Sequence, residues 1–415
     1  MKTLKQHIRR LNKGQYQSLK KMCKHSNSLY NSALYEIKKH FEETGNYLGY
    51  FEIYKMFKNN FHYQNLPRKI GQQTLRLLDR NYRSFFGLLK LKQKGLYKEP
   101  VSPPKYRKKG AEFILILPND QISLNQEKQV LKITKDLKLH FSHKIEGKIK
   151  QAIIIPKTKN YYEINISYEQ EEKEKPELDK SNFLSIDLGV NNLISCFSNV
   201  GRSFIMSGKP LKSKNQFYNK RKAEIQSTLQ KLNDKKWSNK LSRMNIKRNN
   251  YINNYLNQTI AILVKFCLKQ NVGTIVLGYN EEWKQNVNIG KKNNQNFAHI
   301  PFAKLKDKLK HKCLENGIDF ILQEESYTSK CSFLDDEPVK KQVKYKGKRV
   351  KRGLFRTAER RFVNADINGA GNILRKAFPD FKLKMNDGIE VFIVKPLKLR
   401  SIFDASAIQK LLNVE

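Results

Sequence analysis

Along the first hundred residues the apolar positions recur at helical spacing: Leu19, Met22 and Cys23, then Leu29, Leu34 and Ile37. This spacing predicts helices from Gly14 to about Lys94, preceded by a short basic strand within residues 1–10. Pro100-Val101-Ser102-Pro103-Pro104 ends the helical stretch. Beyond it the period falls to two. Residues 113–117, 130–133, 151–155 and 161–166 read as short strands of a small β-barrel or sandwich. The first strand is expected to join them, which makes the helices an insertion. Residues 169–180 are charged and polar, as in a linker. The apolar run Phe183-Leu184-Ser185-Ile186 then predicts a buried strand that leads straight into Asp187 and Gly189. Second and third strands follow over 192–197 and 203–206, joined through the turn Asn199-Val200-Gly201. Residues 211–270 suggest long helices with Leu229, Leu232, Leu241, Ile260 and Leu263 as apolar markers. A fourth strand covers 274–277, and a helix runs from Pro301 to Asn316 before Gly317. A fifth strand, 319–325, ends in acids.

Charge changes the picture. The chain has 415 residues, enough for two or three domains, with 81 Lys+Arg against 38 Asp+Glu and a formal net charge of +43. Solubility does not require such an excess; a polyanion partner explains it, and nucleic acid is the commonest. A basic membrane-surface protein would need an anchoring helix or a lipidation motif, and no such motif is found. No run approaches transmembrane length, and Met1-Lys2-Thr3-Leu4-Lys5 lacks the apolar core of a signal peptide. The five cysteines form no CxxC pair, so neither a zinc ribbon nor a disulfide framework is indicated. A protein of the reducing cytoplasm is expected. Among the N-terminal helices, aromatics alternate with cations, as in Arg80-Asn81-Tyr82-Arg83-Ser84-Phe85-Phe86. That pattern suits either an aromatic core with a solvated basic face or a surface for phosphates and stacked bases.

Three hairpin-linked strands followed by helix, strand, helix, strand is the order of the ribonuclease-H-like fold. That fold holds magnesium between carboxylates on strand ends and on a following helix. A carboxylate buried without a partner is costly, and a metal ion is one such partner for Asp187. Asp366, in Val363-Asn364-Ala365-Asp366-Ile367-Asn368-Gly369-Ala370-Gly371-Asn372, stands where a helix begins. Alone it reads as an N-cap; with Asp187 it reads as a second ligand. The small residues around it allow close helix–sheet packing.

Three motifs taken together resemble one family. They are Asp187-Leu188-Gly189-Val190-Asn191-Asn192-Leu193, Ser326-Tyr327-Thr328-Ser329-Lys330, and Asn364-Ala365-Asp366-Ile367-Asn368-Gly369-Ala370-Gly371-Asn372-Ile373-Leu374. Trp283-Lys284-Gln285 and Gly290-Lys291-Lys292-Asn293-Asn294-Gln295-Asn296-Phe297 fit one branch of it. The chain resembles TnpB, the RNA-guided DNA nuclease of bacterial insertion sequences and relative of type V CRISPR effectors. The resemblance implies an α/β multidomain protein: a RuvC (ribonuclease-H-like) nuclease domain plus a wedge-like β-barrel with an inserted helical recognition domain. The expected boundaries are 1–12 for the first barrel strand, 13–100 for the helical domain and 101–180 for barrel and linker. Nuclease parts follow at 181–325 and 363–382, split by a basic insertion at 326–362, with a C-terminal tail at 383–415. Guide RNA and double-stranded target DNA are the implied partners, with oligomeric state left open. Mg2+ is the implied cofactor, with Mn2+ able to substitute.

Two departures from the family pattern stand out. The usual second acid is a glutamate at the end of the fourth strand, where this chain has Gly278. Glu324 and Glu325, ending the neighbouring fifth strand, are the candidate replacements. Successive strand residues face opposite sides, so at most one points inward, and Glu325 is preferred. Glu281 and Glu282 read as solvated loop acids. The second departure concerns the four-cysteine zinc finger that many relatives carry: residues 326–362 contain only Cys331 amid a run of lysines and arginines. A zinc-free basic loop is expected, with nucleic-acid contacts at Lys351, Arg352 and Arg356 and, upstream, at Lys284, Lys291 and Lys292. The catalytic set is therefore Asp187, Glu325 or Glu324, and Asp366. An RNA-guided DNA endonuclease is the leading reading, and a cleavage-inactive guided repressor, motivated by Gly278, is the alternative.

Overall fold

The computed structural model describes the chain except residues 126, 128, 135–136, 142–144, 172–173, 235, 281–298, 384–392 and 414–415. It divides into two compact units, Met1–Lys173 and Glu174–Glu415. Among the described residues no helix is long and apolar enough to cross a membrane.

The first unit opens with strand β1 (Lys2–His7), followed by helices α1 (Lys13–Thr44), α2 (Tyr50–Phe57), α3 (Phe61–Gln64) and α4 (Arg68–Gln93). Asn12 starts α1 with a reciprocal capping box to Gln15, and Gly45 ends it in the left-handed conformation at φ 71°. Strands β2 (Leu115–Pro118), β3 (Ser123–Asn125), β4 (Val130–Lys132), β5 (Lys138–His140), β6 (Lys148–Thr158) and β7 (Tyr161–Glu169) follow. They form two antiparallel sheets, β1-β7-β6-β2 and β3-β4-β5. Because β1 pairs with β7, the helices are an insertion into one sheet. The two sheets share one buried core, in which Leu131 and Leu139 lie with Ile154 and Ile164. Leu19, Leu29 and Leu34 of α1 share one core with Ile154, Ile164 and Ile166 of the sheet.

The second unit is built on strands β8 (Asp179–Leu188), β9 (Asn192–Ser198) and β10 (Phe204–Ser207), then helices α5 (Lys209–Asn233) and α6 (Asn239–Lys269). Next come β11 (Val272–Gly278), α7 (Phe302–Glu315) and β12 (Asp319–Gln323). A small sheet of β13 (Lys348–Lys351), β14 (Leu354–Arg356) and β15 (Phe362–Asn364) leads into α8 (Ala365–Ala377). The chain closes with β16 (Leu397–Leu399) and α9 (Ala405–Leu412). The main sheet has the order β12-β11-β8-β9-β10-β16. β8, β9 and β10 run antiparallel, while β11 lies parallel to β8 and β12 parallel to β11. This is the ribonuclease-H-like arrangement.

Strand alternation sends side chains to two cores. Leu184, Ile186 and Leu277 pack with Tyr255, Leu263 and Leu305 from α6 and α7. Val276 and Phe197 face the other way, onto Ile367, Ala370 and Ile373 of α8. Asp187 and Gly278 fall on the α8 face by the same alternation. Within the expected C-terminal tail at 383–415, the described residues pack onto the second unit. β16 adds to the sheet edge beside β10, and Leu399, Leu411 and Leu412 are buried in the α6 core. Only a few apolar residues carry that docking, too few for a clear period. In the second unit, β8 begins at Asp179, two residues before the expected boundary at 181.

Between β12 and α8, a buried acid organises the loop. Glu337 is 2% exposed. It accepts hydrogen bonds from the Ser332 amide (2.7 Å) and the Lys346 amide (2.9 Å). Cys331 is buried as a free thiol, its Sγ donating to the carbonyls of Pro338 and Lys340. Asn368 of α8 clamps the same turn, donating to the Cys331 carbonyl and accepting from the Phe333 amide. Glu337→Ala strands two backbone donors and is expected to cost about 2–4 kcal/mol. Thermal melting of the variant checks this; an unchanged midpoint contradicts it.

Candidate active site

Asp187 ends the central strand β8 and looks toward the start of α8. The helix approaches closely because its first turns are small. A Cβ on Gly369 would stand 3.1 Å from Asp187 Oδ2, and one on Gly371 would meet the Phe333 ring at 2.6 Å. Ser185, one alternation earlier on β8, donates its hydroxyl to the Ala370 carbonyl at 2.7 Å and ties strand to helix. Burial pushes the Asp187 carboxyl well above the usual carboxylate range, with the charges of Glu325 and Asp366 adding to it and Arg349 opposing.

Asp366 is not the N-cap of α8. Asn364 takes that role, its side chain accepting from the amides of Asp366 (3.1 Å) and Ile367 (3.2 Å). Asp366 is left in the first turn with its carboxylate turned to neighbours. Asn192 donates Nδ2 to Oδ2 at 2.7 Å, and Arg349 Nη2 lies 3.4 Å from Oδ1.

Glu324 and Glu325 go opposite ways. Glu324 bonds the Ser326 amide and pairs with Lys376. Its outward carboxylate is that of a turn-capping ion pair, so the structure does not bring it to Asp187. Glu325 turns inward, and register explains the difference. Leu277 pairs with Ile186, so Gly278 falls beside Asp187, and Gly278 itself pairs with Gln323. Glu325, two residues past Gln323, keeps the face that Asp187 and Gly278 share. A Cβ on Gly278 would overlap Glu325 Oε1 and stand 2.5 Å from Ile373 Cδ1. The space that glycine opens at the end of β11 is filled by the Glu325 carboxyl. Thr328 holds the turn by donating its hydroxyl to the Glu325 carbonyl at 2.8 Å, and the Glu325 amide donates to Asn280.

Burial, then the charge of Glu324, raises the Glu325 carboxyl from 4.5 to about 7. Folding therefore favours the protonated acid. The metal-free protein carries no penalty below pH 4.5 and loses stability as pH climbs through about 7, by roughly 3 kcal/mol from this group. Glu325→Gln is expected to raise the melting temperature of metal-free protein at pH 8 and leave it nearly unchanged at pH 4. Equal shifts at both pH values would show that the carboxyl is not destabilised by ionisation.

Asp187 and Asp366 open onto a cleft of about 640 Å3 whose wall also carries Lys209, Arg349, Arg352 and Lys398. Acids and cations line the same cleft, a combination suited to a phosphodiester. Arg352 is thus at the cleft; Lys351 is exposed at the end of β13 and Arg356 half-buried on β14. Lys284, Lys291, Lys292, Glu281 and Glu282 lie outside the described residues. Sequence reading did not single out Arg349, Lys209 or Lys398. Arg349 was one cation in a crowd, and Lys398 lies on a strand with little period to mark it.

Whether these acids suit a divalent ion turns on their donor chemistry. Glu325 Oε1 is buried without a hydrogen-bond partner. The set is all carboxylate oxygen, which hard cations such as Mg2+ prefer. Among the described residues no three acidic, His or Cys side chains form a ready metal-binding group as placed. Asn192 and Arg349 hold the Asp366 carboxylate, and in donor chemistry the three acids fit a hard divalent ion.

Comparison with known proteins agrees with this architecture. A family model described as OrfB_IS605, probable transposase, matches residues 165–284. A second, described as the Cas12f1-like TNB domain, matches residues 302–373. The TnpB-like protein ORF457 of Acidianus two-tailed virus is 26% identical over 413 residues, covering 88% of this chain and 84% of the relative. The chain is thus similar in sequence to a TnpB-like protein over most of its length. A solved structure titled as the Cas12f1–sgRNA–target DNA complex superposes with a TM-score of 0.52 at 17% identity, covering 87% of this chain and 83% of that one. That likeness shows a shared α/β multidomain fold. The cleft is formed where the acids of β8 and α8 meet.

Proposed function

We propose that this chain is an RNA-guided DNA endonuclease that cleaves target DNA beside a short adjacent motif. Asp187, Glu325 and Asp366 would hold Mg2+, or Mn2+ in its place. The bound ions would supply Lewis-acid activation of water and of the leaving oxygen. Asp187 and Asp366 face the cleft, and Lys209, Arg349, Arg352 and Lys398 orient the phosphate backbone there. Asn192 fixes the Asp366 carboxylate. Thr328 and Asn280 hold the turn that aims Glu325. Base pairing of a guide RNA supplies sequence specificity, and the protein reads backbone shape. The similar fold of a Cas12f1–sgRNA–target DNA complex supports both nucleic-acid partners.

The observation that carries the reading is the Glu325 carboxyl in the space left by Gly278. A chain that had abandoned cleavage has no use for a buried acid refilling that position.

Purification from a cell that also expresses the neighbouring locus tests guidance. One discrete RNA species is expected to travel with the protein. Its affinity is expected to fall about 10³-fold or more between 50 and 200 mM salt, through counterion release at a surface of this charge. Protein that purifies free of RNA, or RNA binding flat across that titration, overturns the guided reading.

A further inference from the structure

The helical hairpin α5–α6 is not accounted for by the acid site. Between residues 209 and 269 the sequence carries fifteen lysines and arginines against two acids, Glu224 and Asp234. α5 starts at the cleft. Lys209 lines it, Lys212 Nζ donates to Asn191 Oδ1, and the Gly208 amide bonds the Asn191 carbonyl. Leu211, Asn215 and Tyr218 are buried, and Arg248 of α6 pins this base by bonding Asn215 and lying over the Tyr218 ring. Beyond Tyr218 no described residue of α5 is buried. At 1.5 Å per residue the helix reaches about 37 Å from its start. A basic arm therefore runs outward from the mouth of the cleft.

Two large aromatic side chains are exposed along it. Phe217 is 65% and Trp237 46% exposed. Each has a lysine beside its ring: Lys214 Nζ lies 6.0 Å from the Phe217 centroid, and Lys222 Nζ 6.0 Å from Trp237. On α5 Arg221 pairs with Glu224, three residues on. Exposed rings interleaved with cations are what an unpaired strand uses, bases stacking while phosphates meet ammonium groups. A duplex hides its base faces and gains nothing from the rings.

We propose that the α5–α6 arm holds the unpaired DNA strand that runs through the catalytic cleft, stacking its bases on Phe217 and Trp237. The proposal rests on the nuclease reading, because continuity with the cleft is what selects the substrate strand over other nucleic acid. Lys214 and Lys222 neutralise successive phosphates. The arm keeps a continuous grip on the strand from Lys209 outward.

The test uses the full chain with its bound RNA, in EDTA, and fluorescein-labelled dT20 as probe. Trp283→Phe leaves Trp237 as the sole tryptophan, since the chain has two. Its emission is expected to fall when dT20 binds. Phe217→Ala with Trp237→Ala is expected to weaken dT20 binding about tenfold to a hundredfold. Phe217→Leu with Trp237→Leu, which keeps apolar bulk and loses stacking, should do nearly the same. Binding of a dT20·dA20 duplex should change less than threefold, and retained RNA not at all. Unquenched Trp237, dT20 affinity within twofold of the parent, or equal weakening of duplex binding overturns the proposal. Loss of the bound RNA in the variants assigns the arm to the guide instead. If these failures occur while cleavage persists, the nuclease reading stands without the arm. A parent that binds no nucleic acid takes down both.

Discussion

Asp187→Asn and Asp366→Asn are each expected to slow target cleavage at least about a thousandfold, the loss of several kcal/mol of metal-ion stabilisation. Guided DNA binding should stay within about threefold, because neither side chain lies on a broad contact surface. Asp187 is enclosed by α8, with Gly369 against its Oδ2, so asparagine keeps the packing and removes the charge. Asp366 is different: its carboxylate accepts from Asn192 and pairs with Arg349. Asp366→Asn frees Arg349, and the β13–β14 hairpin is expected to become more open to proteolysis. Asp187→Asn should not do this. Quantitative cleavage and binding assays, with limited proteolysis beside them, separate a lost ligand from a lost fold.

The second large effect concerns the exchange between Gly278 and Glu325. Glu325→Gln is expected to cost about a thousandfold in cleavage, like its two partners. Glu324→Gln should stay within about twofold, since its carboxylate serves Lys376 and Ser326 at the surface. Gly278→Ala alone should also reduce cleavage more than about tenfold, because the new Cβ overlaps Glu325 Oε1 and crowds Ile373. The double change Gly278→Glu with Glu325→Gly moves the acid back to the strand beside Asp187 and vacates the space it needs. It is expected to recover at least about tenfold of the rate lost in Glu325→Gln. Failure to recover, with a normal melting temperature, would mean that the two positions are not interchangeable sources of one carboxylate.

Much of the fold was legible because its central strands are strongly patterned. Phe183–Ile186, the alternating 192–197 segment and 274–277 all became strands of one sheet, and the glycines around Asp366 became its close helix contact. Asp187 stood out because a charge ending an apolar run needs a partner, and Asp366 because the strand order called for a second acid downstream, at a helix start. The choice between Glu324 and Glu325 needed register as well. Period two says they oppose each other, and only the pairing of Gly278 with Gln323 says which faces inward. β16 and α9 were missed because three and eight residues carry too few apolar positions to show a period. The two sheets of the first unit have the strand signals of a barrel or sandwich; which edges pair is recorded in no single strand. Arg349 was hidden among like charges, since a cation at an acid site is distinguished by its neighbours in space.

The most direct measurement is cleavage of a plasmid carrying the guide-matched sequence beside a randomised flank, by protein with its co-purified RNA in Mg2+. Parent, Glu325→Gln and Glu324→Gln are run side by side. Linear product from the parent and from Glu324→Gln, restricted to one short flanking motif and absent from Glu325→Gln and from EDTA controls, is the expected result. A parent that binds the matched plasmid without cutting it, or a Glu325→Gln variant that cuts at the parental rate, contradicts the account.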